Sequence, residues 1–418
     1  MHTSDALPPR APATADAEPR DTPSIAALTI GIDARAAVEV PAGRGRVVRE
    51  LLRVLAAGGE DGARTGGAPA AGASAGDARY VLYTREPWDD PALAAAVRAG
   101  RLRWCAIDAR EPWWHVRAAR RANRECDVFF ASNSYVTPQF LRIPCVALVH
   151  DLIAFDRAMR PNRRSRAIEQ LTLGPTVRRA AALLVTTHAT AELLAARYPR
   201  AAARIVLAPL GVSATLAKGG DTAALPAPGF VLAAGTLEPR KNLPRLVAAY
   251  RRLPQALRAR HSLVVVGALG WETGATLQAL DSLGAQAIRL GYVSDAELAE
   301  LYRRCAVFCY PSLGEGFGLP VLEAMAAGAA VLTSNISSLP EVGGDAVAYA
   351  DPYDVASIAA GLEGVLEDNN VRAELGRRAR ERAAEFSWEH FAGRVVATMR
   401  LAASGARSRD GGRSTLTK

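Results

Sequence analysis

The sequence predicts an α/β protein built from two Rossmann-like domains in tandem. Short, continuously apolar runs alternate with helical stretches, a pattern typical of parallel strands that are covered by helices on both faces. This alternation occurs twice, on either side of a turn-rich stretch at 211–228. The length of 418 residues also fits two or three domains. We therefore expect two parallel sheets facing each other across a cleft, with ligands beyond the carboxyl ends of the strands.

The first series of strands and helices predicts a domain over residues 25–212. Residues 1–24 and 62–78 are low-complexity segments, which we expect to be a disordered leader and a flexible insertion. The predicted helices are Arg46–Ala57 and Pro91–Ala99. The predicted strands are Ala27–Asp33, Tyr80–Tyr83, Asp127–Phe130, Pro144–Val149, Ala182–Val185 and Arg204–Ala208.

The second series predicts a domain over 229–385, after a linker at 213–228. A helix over 386–404 is expected to cross back to the first domain, and 405–418 to be a disordered tail. The predicted strands are Phe230–Gly235, Leu263–Val266, Ile288–Tyr292, Val307–Tyr310 and Ala330–Thr333. The predicted helices are Leu243–Leu253, Asp295–Arg304, Pro320–Ala327, Val355–Glu367 and Asn370–Glu385.

The composition excludes several classes of protein. No apolar run in the sequence approaches the ~18–20 residues of a membrane-spanning helix, and the stretch 1–22 lacks the apolar core of a secretory signal. Five cysteines without a Cys-x-x-Cys pair favour a reduced, cytoplasmic protein without a metal site. The formal charge is +9, but only three of the 51 basic residues are Lys, which indicates a sequence-wide preference for Arg. We therefore expect no nucleic-acid partner.

The segment from Tyr310 to Met325 carries the strongest chemical signal. A strand runs into a Gly-rich turn and then into a helix that begins with Pro320, a favoured first helical residue. The unpaired N–H groups at such a helix start form an anion site suited to a phosphate. Glu315 lies just before this site and Glu323 is expected in the first helical turn, and carboxylates there fit sugar hydroxyls, which donate hydrogen bonds to them. Alternatively, Glu323 complements the helix dipole and Glu315 is a solvated turn residue.

Further candidates follow strands in each domain. Arg240 and Lys241 lie on a strand-to-helix loop, where adjacent cations would neutralise a diphosphate; the alternative is a solvated surface pair. His150 comes directly after a strand of the first domain and suits the recognition of a sugar or phosphate, or else forms a structural pair with Asp151. Gly43-Arg-Gly45 opens the first long helix, but the pattern is too short to interpret alone.

Together these features resemble the retaining glycosyltransferases of family 4, which have the GT-B fold. The resemblance extends from about residue 30 to residue 400 and includes the Glu-x7-Glu pair Glu315/Glu323 and His150-Asp-Leu152. Other matching segments are Pro239-Arg-Lys-Asn242, Gly291-Tyr-Val-Ser-Asp295, Ser337-Ser-Leu-Pro-Glu-Val342 and Phe386-Ser-Trp388.

The resemblance implies a nucleotide-sugar site in the second domain. Arg240 and Lys241 would hold the diphosphate, Glu323 the ribose and the backbone near Val293 the base. His150 and the Gly43 to Gly45 loop would close the site from the acceptor side. The donor sugar would lie against Glu315 and the backbone of Gly316, Phe317, Gly318 and Leu319.

Two positions depart from the family's pattern. Thr236 stands where many members carry an Arg after the glycine, so the cationic clamp rests on Arg240 and Lys241 alone. Val47 follows Arg46 where the first glycine loop usually reads Gly-x-Gly-Arg-Tyr, which removes an aromatic side chain from the acceptor side.

The reaction that the resemblance implies is transfer of a hexosyl group with retention and without a metal ion or other cofactor. Negative charge builds up on the leaving phosphate, and preorganised cations beside a helix N-terminus suit its stabilisation. The Ser-Leu-Pro-Glu-Val segment is similar to that of mannosyltransferases that build surface polysaccharide, so GDP-mannose is the first donor expected and a glycan or lipid-linked saccharide the acceptor. A UDP-hexose donor and a GT-B-fold nucleotide-sugar epimerase are the alternatives. A non-catalytic sugar-binding protein is a third, against which the intact Glu315, Glu323 and Lys241 argue.

An Arg-rich stretch over residues 98–124 is a candidate for binding to a membrane surface. It carries eight arginines against two acidic residues, with Trp104, Trp113 and Trp114 among them. Basic residues with interfacial aromatics suit an anionic lipid surface. The alternative is a solvated helix face with tryptophans in the core. The first interpretation would place a cytoplasmic protein at the inner face of the membrane.

Overall fold

The computed structural model of the chain describes residues 27–40, 43–58, 78–156, 159, 163–213 and 225–411. The predicted leader at 1–24 lies outside these residues. So do most of the predicted linker at 213–228 and all of the predicted insertion at 62–78 except Ala78, which is already the first residue of a strand.

The first domain is a parallel sheet covered by helices on both faces. Its strands are β1 (Leu28–Asp33), β2 (Ala78–Thr84), β3 (Leu102–Ala106), β4 (Val128–Ala131), β5 (Cys145–Val149), β6 (Ala182–Val185) and β7 (Ile205–Leu207). They pair in the order β3-β2-β1-β4-β5-β6-β7. Its helices are α1 (Arg35–Glu39), α2 (Arg44–Ala57), α3 (Pro91–Arg98), α4 (Trp113–Glu125), α5 (Arg163–Arg179) and α6 (His188–Arg197).

The second domain repeats this plan with a six-stranded parallel sheet. Its strands are β8 (Val231–Ala234), β9 (Leu263–Val266), β10 (Ala287–Gly291), β11 (Val307–Tyr310), β12 (Val331–Ser334) and β13 (Ala348–Ala350), in the order β10-β9-β8-β11-β12-β13. The remaining helices are α7 (Leu243–Arg252), α8 (Gln255–Arg260), α9 (Gly274–Asp281), α10 (Asp295–Arg304), α11 (Leu319–Ala327), α12 (Leu339–Gly343), α13 (Val355–Glu367), α14 (Asn369–Ala383) and α15 (Trp388–Gly411).

The strand order places a crevice in the second domain. The chain builds the sheet outward from β8 to β10 and then crosses to the other side of β8, where it adds β11. The loops that leave β8 and β11 therefore diverge, and a crevice opens beyond the carboxyl ends of these two strands. In the first sheet the corresponding neighbours are β1 and β4.

The predicted elements agree with the structure to within a few residues except at the end of the last helix. The helices without predicted bounds are α1, α4, α5, α6, α8, α9 and α12, and the edge strands β3 and β13 were missed. Each of these two strands has a neighbouring strand on one side only; β3 mixes buried and exposed residues, and β13 has one buried residue among three. Such strands need no continuous apolar run, which was the signal used to find the central ones.

Helix α15 continues to Gly411, so the disordered tail predicted from residue 405 begins too early. The helix packs on α2 and on strands β4, β5 and β6 of the first domain, with Phe391, Met399 and Ala403 buried. These apolar contacts hold the helix on the first domain up to Ala403, and the helical backbone continues from there to Gly411. Residues 412–418 lie outside the described part of the chain.

Two sets of hydrogen bonds join the domains beside the crevice. Glu341 of α12 accepts hydrogen bonds from the backbone N–H of His188, at 2.9 and 2.8 Å, and so satisfies the N-terminus of α6 with a carboxylate. The Gly316 carbonyl accepts hydrogen bonds from three hydroxyls of the first domain, Thr186 at 3.1 Å, Thr187 at 2.9 Å and Thr190 at 3.3 Å.

Candidate active site

The loops that leave β8 and β11 are fastened to each other. Residues Pro239–Lys241 form one 3-10 turn, which Asn242 ends with a positive φ of 61°. The Asn242 amide donates hydrogen bonds to the carbonyls of Pro311, at 3.0 Å, and Pro352, at 2.7 Å. The Leu313 N–H donates to the carbonyl of Arg240 at 2.8 Å. The side chains of both loops are therefore held in one fixed arrangement.

Glu315 is the centre of a buried polar cluster between these loops. Its Oε1 accepts hydrogen bonds from Lys241 Nζ at 2.7 Å, Ser312 Oγ at 2.7 Å and Tyr310 Oη at 2.8 Å. Its Oε2 accepts from the Arg240 guanidinium. Both the carboxylate and the Lys241 side chain are 9% exposed. The alternatives of a solvated turn residue and a solvated pair of cations are therefore wrong.

The charges of this cluster fix its ionisation. Burial acts to raise the pKa of Glu315, but the Arg240 and Lys241 cations outweigh it and lower the pKa to about 2. Burial and the neighbouring Arg240 charge lower the pKa of Lys241, which Glu315 opposes. Glu238, which is also buried, accepts from Arg240 at 2.5 Å. A diphosphate in this crevice would thus share the two cations with carboxylates that already neutralise them.

The Gly-rich turn brings the start of α11 against the first domain. Gly318 has a φ of 105° and caps α11. Its carbonyl accepts hydrogen bonds from the N–H groups of Val321, at 2.9 Å, and Leu322, at 3.1 Å. Since Pro320 has no N–H, the N–H of Leu319 is the donor that this first turn leaves for a ligand. A Cβ on Gly316 would lie 2.0 Å from the carbonyl oxygen of His150, so only glycine fits there. Phe317 is buried and packs edge-to-face on Phe386, with ring centroids 5.9 Å apart. Phe317 can therefore offer a ligand its backbone but not its ring.

Glu323 lies at a second polar cluster, which Arg46 completes from the first domain. The Arg46 guanidinium donates to both Glu323 and Asp295, and Tyr302 Oη donates to Glu323 at 3.4 Å. Because α11 begins at Leu319, Glu323 stands in its second turn, beyond the reach of the N-terminal dipole. The alternative that Glu323 only complements the helix dipole is therefore wrong.

Val293, predicted to lie near the base, precedes Asp295 by two residues in the loop between β10 and α10. Arg46 pairs with both Asp295 and Glu323, so the loop before Asp295 lies at the same end of the cleft as Glu323. The predicted ribose and base contacts are therefore neighbours in the structure.

His150 lies between the two domains as a neutral imidazole. Its Nε2 donates a hydrogen bond to the Ser132 carbonyl at 2.8 Å, an assignment that follows from the carbonyl having no hydrogen to give. Burial and the Arg44 charge lower the pKa of His150 to about 4. At neutral pH the ring therefore has Nδ1 as a hydrogen-bond acceptor and carries no charge.

The first-domain side of the cleft holds three charged groups on separate elements. Arg44 lies 3.6 Å from Asp151 and 3.7 Å from Glu169 of α5, measured from its Nη2 to the carboxylate oxygens. Burial raises the pKa of Glu169 to about 7, and its Oε1 has no hydrogen-bond partner among the described residues. Asp151 and Glu169 thus place carboxyl oxygens, which accept hydrogen bonds from hydroxyls, on the first-domain side of the cleft.

Gly43 and Gly45, the two glycines of the predicted loop, are required for different structural reasons. Gly43 has a φ of 53° and leads into α2, a backbone conformation that favours glycine. A Cβ on Gly45 would lie 1.8 Å from the Val40 carbonyl oxygen, so its glycine is required by the packing of α2 on the preceding turn. Their predicted contact with the donor stays a prediction.

The sequence pointed to Glu315, Arg240, Lys241 and Glu323 but not to the other residues of their two clusters. Arg46, Asp295 and Tyr302 around Glu323 were not assigned, nor were Tyr310 and Ser312 around Glu315. Arg46 had one usable signal, since it follows the Gly43 to Gly45 turn at the start of a helix. Glu169 had none, because nothing in the local sequence of α5 marks it.

The comparisons with known proteins agree with this architecture. The family model described as Glycosyltransferase Family 4 matches residues 70–216, and the model described as Glycosyl transferases group 1 matches residues 223–382. A solved structure of sucrose-phosphate synthase from Thermosynechococcus elongatus has a TM-score of 0.68 and 19% identity, and the match covers 90% of this chain and 100% of that one. The predicted GT-B fold is confirmed, and the chain belongs to the family 4 glycosyltransferases.

Curated relatives of higher identity match part of the chain. The O-antigen chain mannosyltransferase B of Escherichia coli is 43% identical over 175 residues, which are 41% of this chain and 46% of that protein. The serotype-specific mannosyltransferase WbdA of Escherichia coli is 42% identical over 167 residues, which are 39% of this chain and 20% of that protein. The matches thus span less than half the length of either relative.

The buried carboxylate makes a stability prediction. Glu315→Gln should lower the free energy of unfolding by about 3–5 kcal/mol at pH 7, because Arg240 and Lys241 stay buried without their shared counter-charge. The pKa of Glu315 lies below its ordinary value of 4.5, so the loss is full at neutral pH and fades as the pH falls toward about 2. Urea unfolding at several pH values measures the loss of stability at pH 7 and its decrease at acidic pH.

The control is Glu374→Gln, which removes a carboxylate from the exposed pair with Arg377. This substitution should leave the free energy of unfolding nearly unchanged. Equal effects of the two substitutions would contradict the role assigned to burial.

Proposed function

We propose that this protein is a retaining hexosyltransferase that moves a mannosyl group from GDP-mannose to a glycan or lipid-linked saccharide in polysaccharide biosynthesis. The observation that carries the proposal is the buried cluster of Arg240, Lys241 and Glu315 beside the N-terminus of α11. The two mannosyltransferase relatives support the choice of sugar.

The cluster suits the stabilisation of a leaving diphosphate. Arg240 and Lys241 are fixed by their hydrogen bonds before any ligand arrives, and the first N–H groups of α11 add a second source of positive charge. Preorganised donors of this kind cost no reorganisation when negative charge develops in the transition state. The diphosphate would thus meet the cationic donors of Arg240 and Lys241, which it would share with the Glu315 and Glu238 carboxylates, and no metal ion forms part of the proposal.

The ionised Glu315 and the neutral His150 suit the sugar. A carboxylate accepts hydrogen bonds from hydroxyls, and its negative charge stabilises the positive charge that a hexosyl ring acquires. Nδ1 of His150 can accept a hydrogen bond from a sugar hydroxyl on the first-domain side of the cleft. For retention, the acceptor would attack the face that the phosphate leaves, and its proton would pass to that phosphate.

A donor screen tests the proposal. The purified protein is incubated with GDP-mannose, UDP-glucose or UDP-N-acetylglucosamine, and release of free nucleotide is measured with and without saccharide acceptors. We expect GDP-mannose to be consumed fastest. Preference for a UDP-sugar would overturn the choice of donor, and epimerised nucleotide-sugar without transfer would favour the epimerase alternative.

Lys241→Ala should lower the rate with the preferred donor by at least ~100-fold, by analogy with the loss of one transition-state contact. Glu315→Ala should do the same. The matched control is Arg289→Ala, an exposed cation of the same domain, which should keep wild-type turnover. Near wild-type turnover by folded Lys241→Ala, checked by circular dichroism and thermal unfolding, would contradict the proposed site.

We also propose that α4 rests on an anionic membrane surface. Trp114 is fully buried and its indole donates to the Thr84 carbonyl, so this tryptophan belongs to the core rather than to a lipid contact. Trp113 is 65% exposed. The spacing of the exposed arginines puts them on the same outer face of α4 as Trp113; they are Arg117, Arg120, Arg121 and Arg124.

No helix among the described residues is long and apolar enough to span a membrane. A peripheral contact through α4 would instead place the protein at the cytoplasmic face, close to a lipid-linked acceptor. Basic side chains near an anionic surface contribute about 1 kcal/mol each, so the four arginines suffice for reversible binding.

Liposome flotation tests the surface. Vesicles with phosphatidylglycerol should carry the wild-type protein upward at low salt, and purely zwitterionic vesicles should not. The triple substitution of Arg117, Arg120 and Arg124 by Glu should abolish flotation, whereas the same change at the exposed Arg251, Arg252 and Arg377 should reduce it far less. Flotation that is absent, or independent of anionic lipid, would reject the proposal.

A further inference from the structure

Arg46 makes an unusual contact for a residue of the first domain. It lies in the first turn of α2 and is 8% exposed, yet both its ion-pair partners, Glu323 and Asp295, belong to the second domain. One Nη atom donates to Glu323 Oε1 and the other to Asp295 Oδ1. A planar guanidinium can hold two carboxylates in this way, whereas a lysine ammonium is a single point of charge.

The contact leaves part of the Glu323 carboxylate open. Oε1 accepts from Arg46, while Oε2 accepts, among the described residues, a single hydrogen bond of 3.4 Å from Tyr302. A carboxylate offers about four lone-pair directions, so hydroxyl donors of a ribose can still be accepted.

We propose that Arg46 is a positioning residue that holds the Glu323 carboxylate in place for the ribose of the nucleotide. This inference rests on the proposed function, because it takes the ligand to be a nucleotide-sugar. It adds a residue from the opposite domain to the nucleotide site.

The ionisation of Glu323 supports this role. Burial raises the pKa of Glu323, the nearby Asp295 acts in the same direction, and the Arg46 charge and the Tyr302 hydroxyl oppose both. Without Arg46, the pKa of Glu323 rises further. The carboxyl then keeps its proton up to a higher pH than in the wild type, and the protonated form has less acceptor capacity for the ribose hydroxyls.

The experiment is calorimetric titration of the full chain with GDP-mannose at pH 6.5 and pH 8.5. We expect Arg46→Met to weaken binding at least ~10-fold at pH 6.5 and clearly less at pH 8.5, because a higher pH favours the ionised form of Glu323. Arg46→Lys should restore part of the affinity. The control is Arg53→Met, which removes an arginine of α2 whose ion pairs, to Glu50 and Asp90, stay within the first domain; its affinity should equal that of the wild type.

A double-mutant cycle with Glu323→Gln separates positioning from a general loss of structure. If Arg46 acts through Glu323, Arg46→Met should have little further effect in the Glu323→Gln background, and its pH dependence should vanish there. Equal weakening in both backgrounds would overturn the inference, as would wild-type affinity in Arg46→Met. Absence of binding by the wild-type protein to GDP-mannose and to UDP-sugars alike would instead overturn the proposed function itself.

Discussion

The ionised Glu315 carboxylate between Arg240 and Lys241 is the interaction on which the second domain's site depends. Two adjacent cations could not remain buried at the carboxyl ends of β8 and β11 without a counter-charge, because the free-energy cost of removing them from water would not be offset. The carboxylate satisfies them in the absence of ligand, and the hydroxyls of Ser312 and Tyr310 complete its hydrogen bonding. The site is thus preorganised, and the diphosphate of the proposed donor would meet cations whose positions are already set.

The rest of the cleft is arranged around this cluster by contacts between the domains. Three threonine hydroxyls hold the Gly316 carbonyl, Glu341 satisfies the N-terminus of α6, and Arg46 reaches Glu323. The long helix α15 returns to the first domain and packs on α2, the helix that carries Arg46. The same elements that join the two domains therefore also determine where the ligand-facing groups lie.

Local sequence was enough to predict the residues whose positions depend on one strand and the turn after it. Glu315, Arg240 and Lys241 are of this kind, because a parallel strand followed by a Gly-rich turn defines both the edge and the direction of the loop. Arg46 was not predictable in this way, since its partner Glu323 lies 277 residues further along the chain. Trp113 and Trp114 illustrate the same limit: adjacent tryptophans on a helix point in different directions, and only packing shows which one is buried.

A crystal structure of the protein with GDP-mannose tests the central claim most directly. The account predicts diphosphate oxygens at hydrogen-bond distance, about 2.7–3.2 Å, from Arg240 and Lys241, with the mannose against Glu315 and the start of α11. A nucleotide whose diphosphate lies elsewhere, with the Arg240–Lys241–Glu315 cluster untouched, would contradict it.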